Sequence, residues 1–176
     1  MKNIPNILTI IRMILVPIFP IVFFSSSVNA HLIATIIYVV AGLTDFLDGF
    51  IARKYNLISK VGTVLDPLAD KLMLLMVLFC LYLDNTLPIW IFIFILVKES
   101  FMILSGVYMY FKKESLVIPS NYYGKTATMI LFVALPIMIL MPESIVSFVL
   151  IGIAILLKII ALVTYTIHYI NHHRVH

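Results

Sequence analysis

Asp45-Phe46-Leu47-Asp48-Gly49-Phe50-Ile51-Ala52-Arg53 and, after an eight-residue gap, Gly62-Thr63-Val64-Leu65-Asp66-Pro67-Leu68-Ala69-Asp70 set four aspartates between long apolar runs. The 176-residue chain has only eight Asp and Glu residues, so half of its acids lie in these 26 positions. An ionised group at membrane depth costs roughly 3 kcal/mol or more, so such acids are usually paired, metal-bound or functional. The first pair is spaced i,i+3 and the second i,i+4, which puts each pair on one face of a helix. The stretch therefore reads as the facing ends of two antiparallel helices.

The rest of the composition agrees. Hydrophobic residues make up 63% of the chain and charged ones 11%, against roughly a quarter charged in soluble domains. Only helices and closed barrels satisfy their backbones in lipid, and no barrel-like period-2 alternation is visible. The expected fold is an all-α integral membrane bundle, one domain over 1–176. At about 20 residues per crossing, six transmembrane helices are expected, roughly at 7–24, 32–53, 61–83, 88–111, 122–141 and 145–170. The breaks between them are polar or carry proline. Pro17, Pro20 and Pro136 fall within spans, where kinks are tolerated. The single cysteine, Cys80, excludes an intramolecular disulfide framework. The start, Met1-Lys2-Asn3-Ile4-Pro5, lacks the marks of a removed signal peptide, so the first helix is expected to be kept.

Charge sets the expected orientation. The breaks at 25–30, 84–88 and 141–145 contain no Lys or Arg, whereas Lys2, Lys54, Lys60, Lys112, Lys113 and Arg174 fall on the opposite side. Basic residues collect in cytoplasmic loops, so both termini are expected in the cytoplasm and the chain in the cell (cytoplasmic) membrane. The net charge of +4 then reflects topology and attraction to anionic headgroups. Nucleic acid is not needed to explain it.

In that frame Asp45 lies about 12 Å and Asp48 about 7–8 Å from the cytoplasmic end of the second span, and Asp66 and Asp70 about 6–13 Å along the third. Gly49, Ala52, Gly62 and Ala69 flank these faces and let helices approach closely or leave room for a flat group. Four carboxylates at one depth call for a cation. Oxygen-only ligation suits Mg²⁺, Mn²⁺ or Ca²⁺ over zinc, and paired ions of this kind clamp phosphate oxygens in phosphoryl transfer. The competing reading is a set of interhelical ion pairs with Arg53, Lys54, Lys60 and Lys71 as partners. Buried ion pairs stabilise poorly, which counts against it.

The pattern D-x2-D-G-x2-A-R-x8-G-x3-D-x3-D resembles the signature of the CDP-alcohol phosphatidyltransferase family, with all eight fixed positions filled. Asn3-Ile4-Pro5-Asn6-Ile7-Leu8-Thr9-Ile10-Ile11-Arg12 and Leu65-Asp66-Pro67-Leu68-Ala69-Asp70-Lys71 look like its bacterial phosphatidylglycerophosphate synthase branch. The resemblance implies that an alcohol displaces CMP from CDP-diacylglycerol to give a phosphodiester. It implies two ions, Mg²⁺ or Mn²⁺, on Asp45, Asp48, Asp66 and Asp70, with Asp70 also the general base. Asp45, Gly49, Ala52, Arg53 and Gly62 would hold the CDP-lipid, at a site facing the cytoplasm. It also implies a homodimer among membrane lipids.

The acceptor is less determined. Synthases that use glycerol 3-phosphate typically carry an Arg-Glu pair on the fourth span and a second arginine two turns on. Here those positions read Lys98-Glu99 and Gly106. The usual Gly-Lys-x-Lys-Thr of the fifth span reads Gly124-Lys125-Thr126-Ala127-Thr128. Lys98, Lys125 and Arg12 remain as cations for an acceptor phosphate, and lysine does not reproduce a bidentate arginine. Glycerol 3-phosphate is favoured by the N-terminal half. Phosphatidylglycerol, the acceptor of cardiolipin synthases in the same family, is the alternative.

A small ion- or proton-coupled transporter is a distant alternative, since intramembrane acids also mark ion pathways. The acids cluster near one face, and no matched pair of broken helices suggests inverted repeats. His168, His172, His173 and His176 are read as a solvated end of the chain. Trp90 and Tyr82 fit an aromatic belt. Glu99 beside Lys98 is either a local ion pair or part of the acceptor pocket, and Lys158 either snorkels or lines a dimer contact.

Overall fold

The computed structural model describes residues 4–54, 62–112 and 122–173, with side chains described over 8–47, 68–104 and 122–164. Its elements are α1 (Ile4–Phe23), α2 (Ala30–Lys54), α3 (Gly62–Leu83), α4 (Ile89–Lys112), α5 (Tyr122–Leu140) and α6 (Ile145–His173). Among the described residues there is no strand. The protein is all-helical, as its apolar runs dictate. Among the described residues three stretches, Ala30–Leu47, Tyr122–Leu140 and Ile145–Thr164, are long and apolar enough to cross a membrane, and α1 adds a shorter one, Leu8–Phe23. Helix ends differ from the expected spans by a few residues. α6 runs on to His173, so His168, His172 and His173 belong to a helix and not to a tail.

The chain divides into two compact units, Met1–Ser115 and Leu116–His176. In the first, α1 packs against both α2 and α3, α2 against α3, and α3 against α4. The buried positions follow helical spacing. On α1 they are Thr9, Arg12, Val16, Phe19 and Phe23, and on α2 Ala34, Tyr38 and Ala41. Small residues on α2 let its backbone approach α1, the usual device where lipid offers no hydrophobic drive for association. On α3 Ala69, Met73 and Val77 are buried, as are Leu87 just before α4 and Ile91, Ile95 and Glu99 on it. Two of these positions, Arg12 and Glu99, carry charge on an otherwise apolar stripe.

In the second unit α5 packs against α6, with Ala127, Leu131, Ala134, Leu135 and Met138 buried on α5. Ile151, Ala154, Lys158 and Ala161 are buried on α6. Lys158 is thus enclosed by protein, which excludes snorkelling along an exposed face. Hydroxyls inside helices bond their own backbone: Thr35 to the His31 carbonyl at 2.8 Å and Thr128 to that of Gly124 at 3.0 Å. Polar side chains are thereby satisfied without water. By contrast, large apolar residues such as Ile21, Phe46, Val97, Leu104 and Leu156 are exposed, as a lipid-facing surface requires and a soluble one avoids.

The α3–α4 turn shows how tightly one end of the first unit is made. The Thr86 N–H donates to the Leu81 carbonyl and the Asn85 N–H to that of Tyr82, each at 3.0 Å, the 6→1 and 5→2 bonds of a Schellman cap. Asn85 holds the left-handed position at φ 61°. The Thr86 hydroxyl donates to Asp84 Oδ2 at 2.7 Å. Replacing Asn85 by Ala is expected to cost about 1 kcal/mol, because a β-carbon disfavours that conformation, whereas Asn85→Gly should be close to neutral. Thermal unfolding in detergent checks both.

Candidate active site

Asp45 follows Ala34, Tyr38 and Ala41 along one face of α2, one turn beyond the last buried residue. Arg12 occupies the buried stripe of α1. Since α1 packs on α2, the two side chains meet, and Arg12 Nη1 donates to Asp45 Oδ1 at 2.6 Å. The guanidinium is 1% exposed and the carboxylate 39%. Guanidinium does not lose its proton in proteins, so a counter-charge is required there. The sequence reading placed Arg12 among the acceptor cations; its guanidinium is engaged with Asp45, one of the four aspartates.

Asp70 lies on α3 beside fully buried Ala69 and is itself half-buried. The buried Tyr38 of α2 is within electrostatic reach of its carboxylate. Asp45 and Asp70 thus stand on two helices that pack together. The side chains of Asp48, Gly49, Ala52, Arg53, Gly62 and Asp66 lie outside the described residues. Among the described residues no three acid, His or Cys side chains gather as a metal site.

A second polar cluster links α3 to α4. Glu99 is fully buried, at the end of the stripe Leu87–Ile91–Ile95. Its Oε2 is 2.8 Å from Lys71 Nζ, and its Oε1 accepts from Lys98 Nζ at 3.1 Å. One acid between two ammonium groups leaves the trio with a net positive charge. Of the two readings of Glu99, the local ion pair with Lys98 is therefore present, and Lys71 joins it. Lys71 pairs here with Glu99. Sequence reading missed the triad, because the i,i+4 run that ends on Glu99 does not mark which face is enclosed. Lys125 is exposed near the start of α5, in the second unit.

The described donors, Asp45 and Asp70, offer only carboxylate oxygen, which fits a hard divalent ion. Neither helix contributes a described histidine or free thiol near that end: Cys80 is buried towards the other end of α3. Half-exposed carboxylates held by helix packing suit ligand exchange with an anionic substrate. The triad differs in kind. Removing its single acid leaves two ammonium groups, 18% and 10% exposed, with mutual repulsion and no counter-charge. Glu99→Gln is expected to destabilise the protein by about 3 kcal/mol, read as a lowered midpoint of thermal unfolding in detergent. An unchanged midpoint would show that the triad contributes nothing to stability.

The chain matches the family model for CDP-alcohol phosphatidyltransferase over residues 2–165. It is similar to the CDP-diacylglycerol--glycerol-3-phosphate 3-phosphatidyltransferase of Rickettsia bellii, 34% identical over 79% of this chain and 76% of the relative. The protein of the same description from Bacillus subtilis is 33% identical over 84% and 83% of the two chains. A probable phosphatidylglycerophosphate synthase of Mycobacterium tuberculosis is 31% identical over 93% of this chain and 79% of its own. The resemblance carried by Asp45 to Asp70 is thus matched along almost the whole length. With its helices, its apolar surface and its paired acids, the chain belongs to the CDP-alcohol phosphatidyltransferase family.

Proposed function

We propose that the protein transfers the phosphatidyl group of CDP-diacylglycerol to glycerol 3-phosphate, forming phosphatidylglycerophosphate and CMP. The observation that carries this reading is the similarity along most of the chain to relatives described by that reaction. The apolar surface of the helices supports a membrane protein, and a CDP-linked lipid presents its headgroup where such a protein meets water. We read residues 1–176 as one functional domain, spanning the membrane six times with both termini in the cytoplasm. The absence of Lys and Arg from alternate breaks supports that orientation. The active site then faces the cytoplasm of the cell membrane. The family's homodimer is carried over as part of the same reading.

In the reaction an acceptor oxygen forms a bond to the phosphorus that bears the diacylglycerol, and the bond from that phosphorus to the CMP oxygen breaks. Asp45, Asp48, Asp66 and Asp70 would hold Mg²⁺ or Mn²⁺, which supplies charge stabilisation at the pyrophosphate and at the leaving CMP. Asp70 takes the proton of the attacking hydroxyl, since an alcohol attacks far better as its proton leaves. Gly49, Ala52 and Gly62 leave a flat slot for cytidine, and Arg53 faces phosphate through its planar fork. Lys98 holds the acceptor phosphate. Lys98 sits in a triad of net positive charge, which supports an anionic acceptor.

The test is purified protein in detergent with CDP-diacylglycerol, Mg²⁺ or Mn²⁺ and one acceptor at a time, with CMP and lipid product followed. Phosphatidylglycerophosphate from glycerol 3-phosphate is the expected result. Cardiolipin from phosphatidylglycerol, with glycerol 3-phosphate inert, would replace the acceptor assignment, and no CMP release at all would refute the reaction. Asp70→Asn is expected to lower kcat by roughly 10²–10⁴-fold while CDP-lipid binding persists. Lys98→Met should raise KM for glycerol 3-phosphate roughly ten- to a hundredfold with little change in KM for the CDP-lipid.

A further inference from the structure

We propose that Arg12 is the positioning residue of Asp45: its guanidinium fixes the orientation in which that carboxylate meets the divalent ion, and it does not bind the acceptor phosphate. The inference rests on the reading of Asp45 as a metal ligand.

Three observations carry it. The first is the unequal enclosure of the pair: Arg12 is 1% exposed and Asp45 39%. The cation is wrapped in protein while the acid stands at the rim, so the pair presents its carboxylate and not its guanidinium to an arriving ligand. The second is the contact itself, Nη1 to Oδ1 at 2.6 Å, at the short end for a charge-assisted bond. The third is the place of Arg12 in the fold. It lies in the buried stripe of α1, the helix that packs on both α2 and α3, the two helices that carry all four aspartates.

A carboxylate that binds a metal needs an outer partner to hold its plane, and losing such partners typically weakens metal affinity about 10–100-fold. Arginine suits this task because its planar fork fixes direction as well as charge. A lysine would keep the charge and lose the direction. That difference separates positioning from simple charge balance.

The experiment measures Mn²⁺ binding to purified protein in detergent, without substrates, by the loss of the free-ion paramagnetic resonance signal. Wild type, Arg12→Lys, Arg12→Met and Asp45→Asn are compared, with thermal unfolding to establish that each is folded. Arg12→Lys and Arg12→Met are expected to weaken Mn²⁺ binding roughly ten- to a hundredfold, with KM for glycerol 3-phosphate at saturating Mn²⁺ within about twofold of wild type. If Arg12→Met does not fold, Arg12→Lys alone decides, since it retains the cation. Unchanged Mn²⁺ affinity would overturn the proposal; a raised acceptor KM alongside it would return Arg12 to the acceptor site. Tighter Mn²⁺ binding would also overturn it, showing Arg12 to be a competitor of the ion. Intact Mn²⁺ affinity in Asp45→Asn would instead refute the metal reading of Asp45, on which the proposal stands.

Discussion

A charge enclosed by apolar helices must find its opposite inside the bundle, and the first unit is arranged around that requirement. Arg12 is enclosed and takes Asp45; Glu99 is enclosed and takes Lys71 and Lys98. Each pairing joins two helices, α1 to α2 and α3 to α4. Breaking one partner strands the other where water cannot compensate. The polar contacts therefore fix which faces of these helices meet, while the small residues Ala34, Ala41 and Ala69 let the backbones come close enough for them to form.

The two clusters have opposite character. The Arg12–Asp45 pair is neutral overall and holds its acid outward. The triad around Glu99 keeps an excess positive charge, and its two lysines remain partly exposed. One end of α2 and α3 thus offers carboxylates, while the neighbouring junction of α3 and α4 offers ammonium groups. Asp70 and Lys71 are consecutive on α3, so a single turn carries both a proposed base and a member of the positive cluster.

Lysine stands at position 98 where relatives that use glycerol 3-phosphate typically have arginine. An arginine would bring a planar fork able to bind phosphate in two places. Here the neighbouring Glu99 holds the more flexible side chain, and the same carboxylate pairs across the helices with Lys71. Gly106 lies outside the residues whose side chains are described, and Ala127 is buried in α5, among the small residues of that helix.

Much of this architecture is legible in the amino-acid sequence. Apolar runs of fixed length, broken by polar turns, dictate helices, and they lie where hydropathy puts them, because an unpaired backbone cannot persist in lipid. The pattern from Asp45 to Asp70 carries the resemblance to the family, and the helical period determines which acids of each pair share a face. The buried stripes, including the two that contain Arg12 and Glu99, emerge only in the structure, because helices apolar on nearly every face do not mark which face is enclosed. Nor does the sequence show what those stripes touch. The 3.6-residue period says which side chains point together and nothing about which neighbouring helix they meet, at what rotation or at what depth. Arg12 finds a partner 33 residues away, and Glu99 draws in Lys71 from another helix, through packing angles that no local pattern encodes. The chain by itself determined the helices and their chemistry; only the tertiary structure decided which of the described charges neutralise each other, because that depends on how the helices are rotated and packed.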